Sequence, residues 1–355
     1  MTPVVASVLA APEPVPATDG RKHLVYELIL TNRGAPSVTV KRIQVLSAGR
    51  VIGSLAGARL SSVMLPFGAT KPGATLRGGQ AGYVLMDVTV ARRARAPGRL
   101  VHRLTIAQTP RDPGAAMSYL AAPTRVDNRP ALVVAPPLRG AGWVDTSSCC
   151  DSLTAHRGAV LPVNGALRVA ERFAIDFVQV NPQGLLFSGP KTALSSYPFF
   201  GADVLSATSG TVVGVVDNLP ETTPGALPKG ITAAQAGGDH VVVAVGGGRY
   251  AFYAHLQPGS IVVAPGQRVR VGQKLGLLGN SGNSDAPHLH FHIMDGPSPL
   301  NSNGLPFRFS RFNLEGELTN FGAFSAGRPA RIVPRLRGIH TGELPLNNQV
   351  LDFGR

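Results

Sequence analysis

The segment Ala286-Pro287-His288-Leu289-His290-Phe291-His292 places histidines at every second position. In an extended strand alternate side chains face the same way, so all three imidazoles project from one face. A single satisfied histidine in an apolar strand is ordinary. Three together are costly unless they bind a metal or take part in chemistry, and neutral imidazole is a common zinc ligand. Upstream, Tyr253-Ala254-His255-Leu256 ends a second strand that could lie beside the first. Phe173-Ala174-Ile175-Asp176-Phe177 sets one carboxylate into an apolar strand, where an unpaired charge is expensive. A role as zinc ligand resolves that cost, and so would an ion pair with Arg172.

The elements that must position these residues read as β throughout. Gly210 to Val216, His240 to Val245 and Arg249 to Leu256 are short β-branched or aromatic runs bounded by glycine. Gly279-Asn280-Ser281-Gly282-Asn283-Ser284 is a tight loop suited to aiming the following strand edge into a groove. Residues 217–238, with Pro220, Pro224 and Pro228, form a long loop of the kind that is usually functional. Nearer the amino terminus, Leu24, Tyr26, Leu28 and Leu30 alternate with Val25, Glu27, Ile29 and Thr31. Val84 to Val90 and Leu100 to Ile106 repeat the device. Period-two runs between turns predict an antiparallel sandwich, Ig-like, without a chemical cluster. His23 and His102 fall in its strands as packing or surface residues.

These patterns give an all-β chain of two domains. The reading is a flexible leader over residues 1–19, a sandwich over 20–122 and a proline-rich linker over 123–142. A second antiparallel-sheet domain follows over 143–310, with a carboxyl-terminal extension over 311–355 packing on it. The 355 residues are 44% hydrophobic and only 15% charged, with 42 Gly and 30 Pro. That composition excludes wholesale disorder and a helical bundle, and no apolar run is long enough to span a bilayer. The net charge of +14 suits an anionic envelope or reflects a general preference for arginine. No nucleic-acid-binding motif accompanies it, which argues against nucleic acid.

Asp176, Tyr253-Ala254-His255-Leu256 and His288-Leu289-His290-Phe291, in that order, resemble the lysostaphin-type (LytM-like) zinc endopeptidase family. The glycine-rich connectors Gly266-Gln267, Gly272-Gln273 and Gly279-Asn280-Ser281-Gly282 resemble it too. The similarity covers roughly residues 140–310. It implies an antiparallel sheet with zinc in a groove, acting on peptide cross-links of bacterial peptidoglycan in the periplasm or outside the cell. Carried over, Asp176 and His290 become metal ligands and His255 and His288 catalytic residues. His288 would take a proton from water as general base, and His255 would donate a hydrogen bond to the oxyanion.

One position departs from the family. Its usual first ligand, four residues before the aspartate, is Arg172 here, and arginine cannot bind zinc. Two ligands do not complete a catalytic zinc site. His156 is the best substitute: Pro162-Val163-Asn164-Gly165 reads as a hairpin turn that could bring it beside the Asp176 strand. His292, Cys149 and Cys150 are weaker substitutes, while His240 reads as packing at a strand start and His340 lies in an arginine-rich tail. The adjacent cysteines could be free thiols, a redox pair or soft ligands, but neighbouring cysteines bridge only with strain. Their turn context reads them as ordinary small residues. The expected activity is zinc-dependent endopeptidase. Its rival is a degenerate module that binds peptidoglycan or regulates another hydrolase. The amino terminus is mildly apolar but lacks a basic start, so it shows no evident export signal.

Overall fold

A computed structural model describes residues 1–109, 116–150 and 152–354. The chain divides into two compact units, Met1–Ala131 with Cys150–Thr154, and Leu132–Cys149 with Ala155–Arg355. Both are built from antiparallel sheets, and the helices among the described residues are short.

Unit 1 contains two sheets. One runs in the order Val4–Val8, Arg21–Asn32, Ala81–Ala91, Met64–Pro66 and the other Met117–Arg125, Arg99–Thr109, Ser37–Ser47, Arg50–Ala56. The alternating residues Leu24, Tyr26, Leu28 and Leu30 are all fully buried, as the period-two pattern requires. Val25 and Glu27, on the opposite face, are fully buried as well. The central strand is therefore covered on both sides, which alternation of residue types does not disclose. The buried Tyr26 hydroxyl donates to His102 Nε2 at 2.7 Å, joining a strand of one sheet to a strand of the other. Where the sequence suggests a leader, Val4–Val8 instead pairs along Arg21–Asn32, and Pro14–Pro16 pairs with the same strand. An edge strand contributes main-chain hydrogen bonds whatever its composition, so a proline-flanked, mildly apolar stretch joins the sheet.

The sheet of unit 2 carries the histidines. Its strands lie in the order Arg268–Val269, Gly210–Val216, Asp239–Gly246, Arg249–Leu256, Leu289–Met294, Ile175–Gln179, Trp143–Thr146, Gln349–Asp352, Phe312–Leu318, Ile332–Val333. The carboxyl-terminal residues are thus strands of this sheet rather than an appendage laid on it. Within the region read as a linker, Leu132–Val134 pairs in parallel with Phe307–Phe309. The hairpin turn is formed: Leu161–Val163 pairs with Ala166–Arg168 around Asn164 and Gly165, both at positive φ as a two-residue turn demands. Cys149 and Cys150 are disulfide-bonded, so neither is a free thiol or a soft ligand. This corrects their reading as ordinary turn residues; adjacency made a bridge look too strained, but it does not forbid one.

Candidate metal centre

The strand register brings the sequence-distant residues together. Ile175–Gln179 lies beside Leu289–Met294 with Asp176 directly opposite His290. On the other side of that strand Ala254 stands opposite His290 and Phe252 opposite His292. Directly opposed residues of an antiparallel pair have their side chains on the same face, so the carboxylate and the imidazoles meet there. His290 Nδ1 is 2.9 Å from Asp176 Oδ1, and His288 Nε2 is 3.4 Å from the same oxygen.

His156 completes the group. It sits on the short helix Ala155–Gly158, ahead of the hairpin rather than on it. Its Nδ1 donates to the Ala174 carbonyl at 3.0 Å, which leaves Nε2 facing Asp176 Oδ2 at 3.1 Å. Ligand atoms of His156, Asp176 and His290 all lie within 4.8 Å of one another. Two imidazoles and a carboxylate converging from a buried floor are a zinc donor set, and the donors present fit that ion. Arg172 is buried and precedes the Asp176 strand; a guanidinium cannot bind a metal ion, and the imidazole beside the carboxylate is that of His156.

His255 and His288 flank this group, their ring centroids 4.5 Å apart. His255 is held at φ 62°, a left-handed conformation that a non-glycine residue adopts only when its surroundings impose it. Its amide donates to the Gly237 carbonyl, and its Nδ1 donates to the Ser281 carbonyl at 2.7 Å. The Ser281 carbonyl reaches the ring because two glycines let the backbones cross. A Cβ on Gly238 would collide with Ser281, and one on Gly282 with Gly238; both residues also have positive φ. His288 Nδ1 donates to the Ala286 carbonyl at 2.8 Å. In a neutral ring with its proton on Nδ1, Nε2 carries a lone pair. Each of these histidines therefore accepts at Nε2 when neutral and donates there only when protonated. This sharpens the expected oxyanion role of His255, which requires a second proton on the ring.

Electrostatics follow from burial and neighbours. Burial raises the Asp176 pKa, but the adjacent His156 and His288 overcome it and hold the carboxyl well below its usual range. Burial, reinforced by His288 and His290, drives His255 well below its usual value. The cluster opens into a groove of about 930 Å³. Apart from the histidines, its charged lining residues among those described are Glu171, Asp176 and Asp285, and no described lysine or arginine lines it despite the net charge of +14.

Other histidines are accounted for. His240 donates from Nδ1 to the Gly238 carbonyl and packs edge-on against Phe252. His340 bonds Glu343. In unit 1, ligand atoms of His23, Asp87 and Cys150 also lie within 4.8 Å of one another. Cys150 is held in the disulfide and offers no thiolate, and the His23 nitrogens are engaged by Asp87 and Asp19. Residue types alone mark His292 only as a weak substitute ligand, yet its ring contacts that of His290; the every-second-residue spacing already sets both on one face. The carbonyls of Ala174, Ser281 and Ala286 carry no signal in the sequence, because an acceptor that every residue possesses cannot be located by residue type.

The model of peptidase family M23 matches residues 196–302. That stretch includes His255, His288, His290 and His292, while His156 and Asp176 lie outside it. The peptidoglycan DD-endopeptidase ShyA of Vibrio cholerae is 38% identical over 65 residues, 18% of this chain and 15% of that protein's length. The catalytic domain of the antimicrobial peptidase lysostaphin from Staphylococcus simulans matches at 24% identity and a TM-score of 0.22. The match covers 38% of this chain and 71% of that one. A zinc containing peptidase from Vibrio cholerae matches at 15% identity and a TM-score of 0.23, over 76% of this chain and 77% of its own.

Proposed function

Residues 196–302 form a peptidase family M23 domain, and from that premise we propose that the chain is a zinc-dependent endopeptidase hydrolysing peptide bonds of bacterial peptidoglycan. The observation that carries this reading is His156 Nε2 at 3.1 Å from Asp176 Oδ2. It supplies the third donor that Arg172 cannot, and so weighs against a degenerate module. His156, Asp176 and His290 would hold the ion. Zinc bound there would supply Lewis acidity to the scissile carbonyl and acidify the attacking water.

The remaining chemistry belongs to the chain's own side chains. His288 accepts the proton of the attacking water at Nε2, and the Asp176 oxygen 3.4 Å away stabilises the imidazolium formed. His255, its ring fixed by the Ser281 carbonyl and kept neutral by burial and by His288 and His290, carries a lone pair on Nε2 and would donate to the oxyanion only after gaining a proton there during the reaction. The similarity to ShyA, whose name specifies peptidoglycan, supports that substrate. Such a substrate puts the work in the cell envelope or outside the cell. No helix among the described residues is long and apolar enough to cross a membrane.

The test is the metal content of the purified chain together with digestion of isolated peptidoglycan and identification of the released peptides. We expect about one zinc per chain, as a three-donor catalytic site requires, and cleaved cross-links. A chain that takes up no zinc yet still binds peptidoglycan would establish the binding-module reading instead.

A further inference from the structure

We infer that His292 orients His290 for the metal, by accepting a hydrogen bond from the ring nitrogen of His290 that faces away from Asp176. This rests on the zinc reading above and concerns how the chain holds the ion. Leu289–Met294 is extended, so His290 and His292 project from one face. His290 Nδ1 lies 2.9 Å from Asp176 Oδ1 and is the nitrogen placed to share an ion with that carboxylate. Its Nε2 lies 2.9 Å from His292 Nδ1. With the Nδ1 lone pair given to a cation, the neutral ring must carry its proton on Nε2. His292 Nδ1 then accepts, and the proton of His292 sits on its own Nε2. One ring-to-ring hydrogen bond sets the tautomer of both residues.

Two observations single out His292 for this work. The first is how the other histidines of the cluster are anchored. His156, His255 and His288 each donate from Nδ1 to a main-chain carbonyl, of Ala174, Ser281 and Ala286 respectively. His290 stands inside a strand paired on both sides, where neighbouring carbonyls are taken up by the ladder. Its second nitrogen must be met by a side chain, and His292 is two positions along the same face. The second observation is that His292 has little other use for its polar atoms. It is 1% exposed, and its Nε2 is buried without a hydrogen-bond partner. Its packing, with the Phe252 ring 5.1 Å away, is of a kind that an apolar ring would provide without a stranded nitrogen. A partner that fixes a metal-binding imidazole's tautomer and orientation typically changes metal affinity about 10–100-fold when removed.

The experiment compares the full chain with H292F and H292N by zinc competition against a chromophoric chelator, with circular dichroism to check folding. Phenylalanine keeps the ring and removes the acceptor. Asparagine keeps an acceptor oxygen near the place of Nδ1. Zinc affinity is expected to fall about 10–100-fold in H292F and to recover most of that loss in H292N. An H292F chain that binds zinc as tightly as the wild type overturns the inference, and so does an H292N chain as weak as H292F. Should the variants fail to fold, NMR of the zinc-loaded wild type with isotope-labelled histidine decides. A scalar coupling between His290 Nε2 and His292 Nδ1 supports the inference, and a proton on His290 Nδ1 overturns it. A wild type that takes up no zinc overturns the zinc reading itself. A wild type that binds zinc beside an unaffected H292F overturns the role of His292 alone.

Discussion

Among the described residues, histidine meets aspartate in two places, one in each unit, and the surroundings of the two differ. In unit 1, His23 lies 2.9 Å from Asp87 and 3.2 Å from Asp19, one carboxylate on each ring nitrogen. Burial alone would lower its pKa, but these two partners push it up to about 9. Both nitrogens are occupied, and the result is an ion pair that stabilises a strand. In unit 2, main-chain carbonyls take the Nδ1 protons of His156, His255 and His288, so the Nε2 atoms of His156 and His288 are left to face Asp176. The residue types match; what differs is how many imidazoles share one carboxylate and whether they line a groove. Proximity of histidine to aspartate is therefore no sign of a metal centre by itself; what sets unit 2 apart is that three imidazoles meet one carboxylate beside an open groove.

The largest expected effect tests that contrast directly. His156→Ala should abolish stoichiometric zinc binding and bring peptidoglycan hydrolysis to background, whereas His23→Ala should leave both unchanged. Metal analysis by mass spectrometry reads the first half, and retention of one zinc by the His156 variant would remove that residue from the site. Next, His288→Ala and His255→Ala should each keep zinc while hydrolysis falls about 10²–10⁴-fold, the usual worth of proton transfer by a positioned group. A rate equal to the wild type in either variant would end its catalytic assignment.

A smaller effect separates the scaffold from the chemistry. Gly282→Ala forces a side chain into a left-handed position pressed against Gly238. It should destabilise unit 2 by about 2–3 kcal/mol, while leaving hydrogen exchange in unit 1 as it was. Urea denaturation followed by the single tryptophan, Trp143, measures it. Unchanged stability would mean that the crossing under His255 is more yielding than its geometry implies.

The smallest effect is confined to unit 1 and depends on pH. The folded-state pKa of His23 is raised above the unfolded value of about 6.5. Its contribution is therefore complete below about pH 6.5 and is lost as pH rises through about 9. His23→Gln should weaken unit 1 by on the order of 2 kcal/mol at pH 6, and the difference from the wild type should shrink above pH 9. Hydrogen exchange of the Arg21–Asn32 strand reports it. A difference that grows with pH would contradict the ion-pair assignment.

Parts of both regions are legible in the order of residue types. Period-two alternation at Leu24, Tyr26, Leu28 and Leu30 announces a buried strand face, because side chains of a strand alternate whatever the surrounding fold. The same rule sets His288, His290 and His292 on one face. The turn at Asn164-Gly165 is readable because few residues tolerate positive φ. The strand at Val4–Val8 is not, since an edge strand draws on main-chain groups that every residue possesses.

Residue identity alone settles that Arg172 cannot be a metal ligand, since protonation chemistry travels with the side chain, and so the proposed zinc site would need another neutral donor. It offers His156 as the best candidate without locating it. Only the folded chain decides that His156 reaches Asp176, that Asp176 stands opposite His290, and that carbonyls of Ala174, Ser281 and Ala286 hold the rings. Register and loop crossings arise from contacts between residues far apart in the chain, and no local pattern encodes which carbonyl will arrive beside which imidazole.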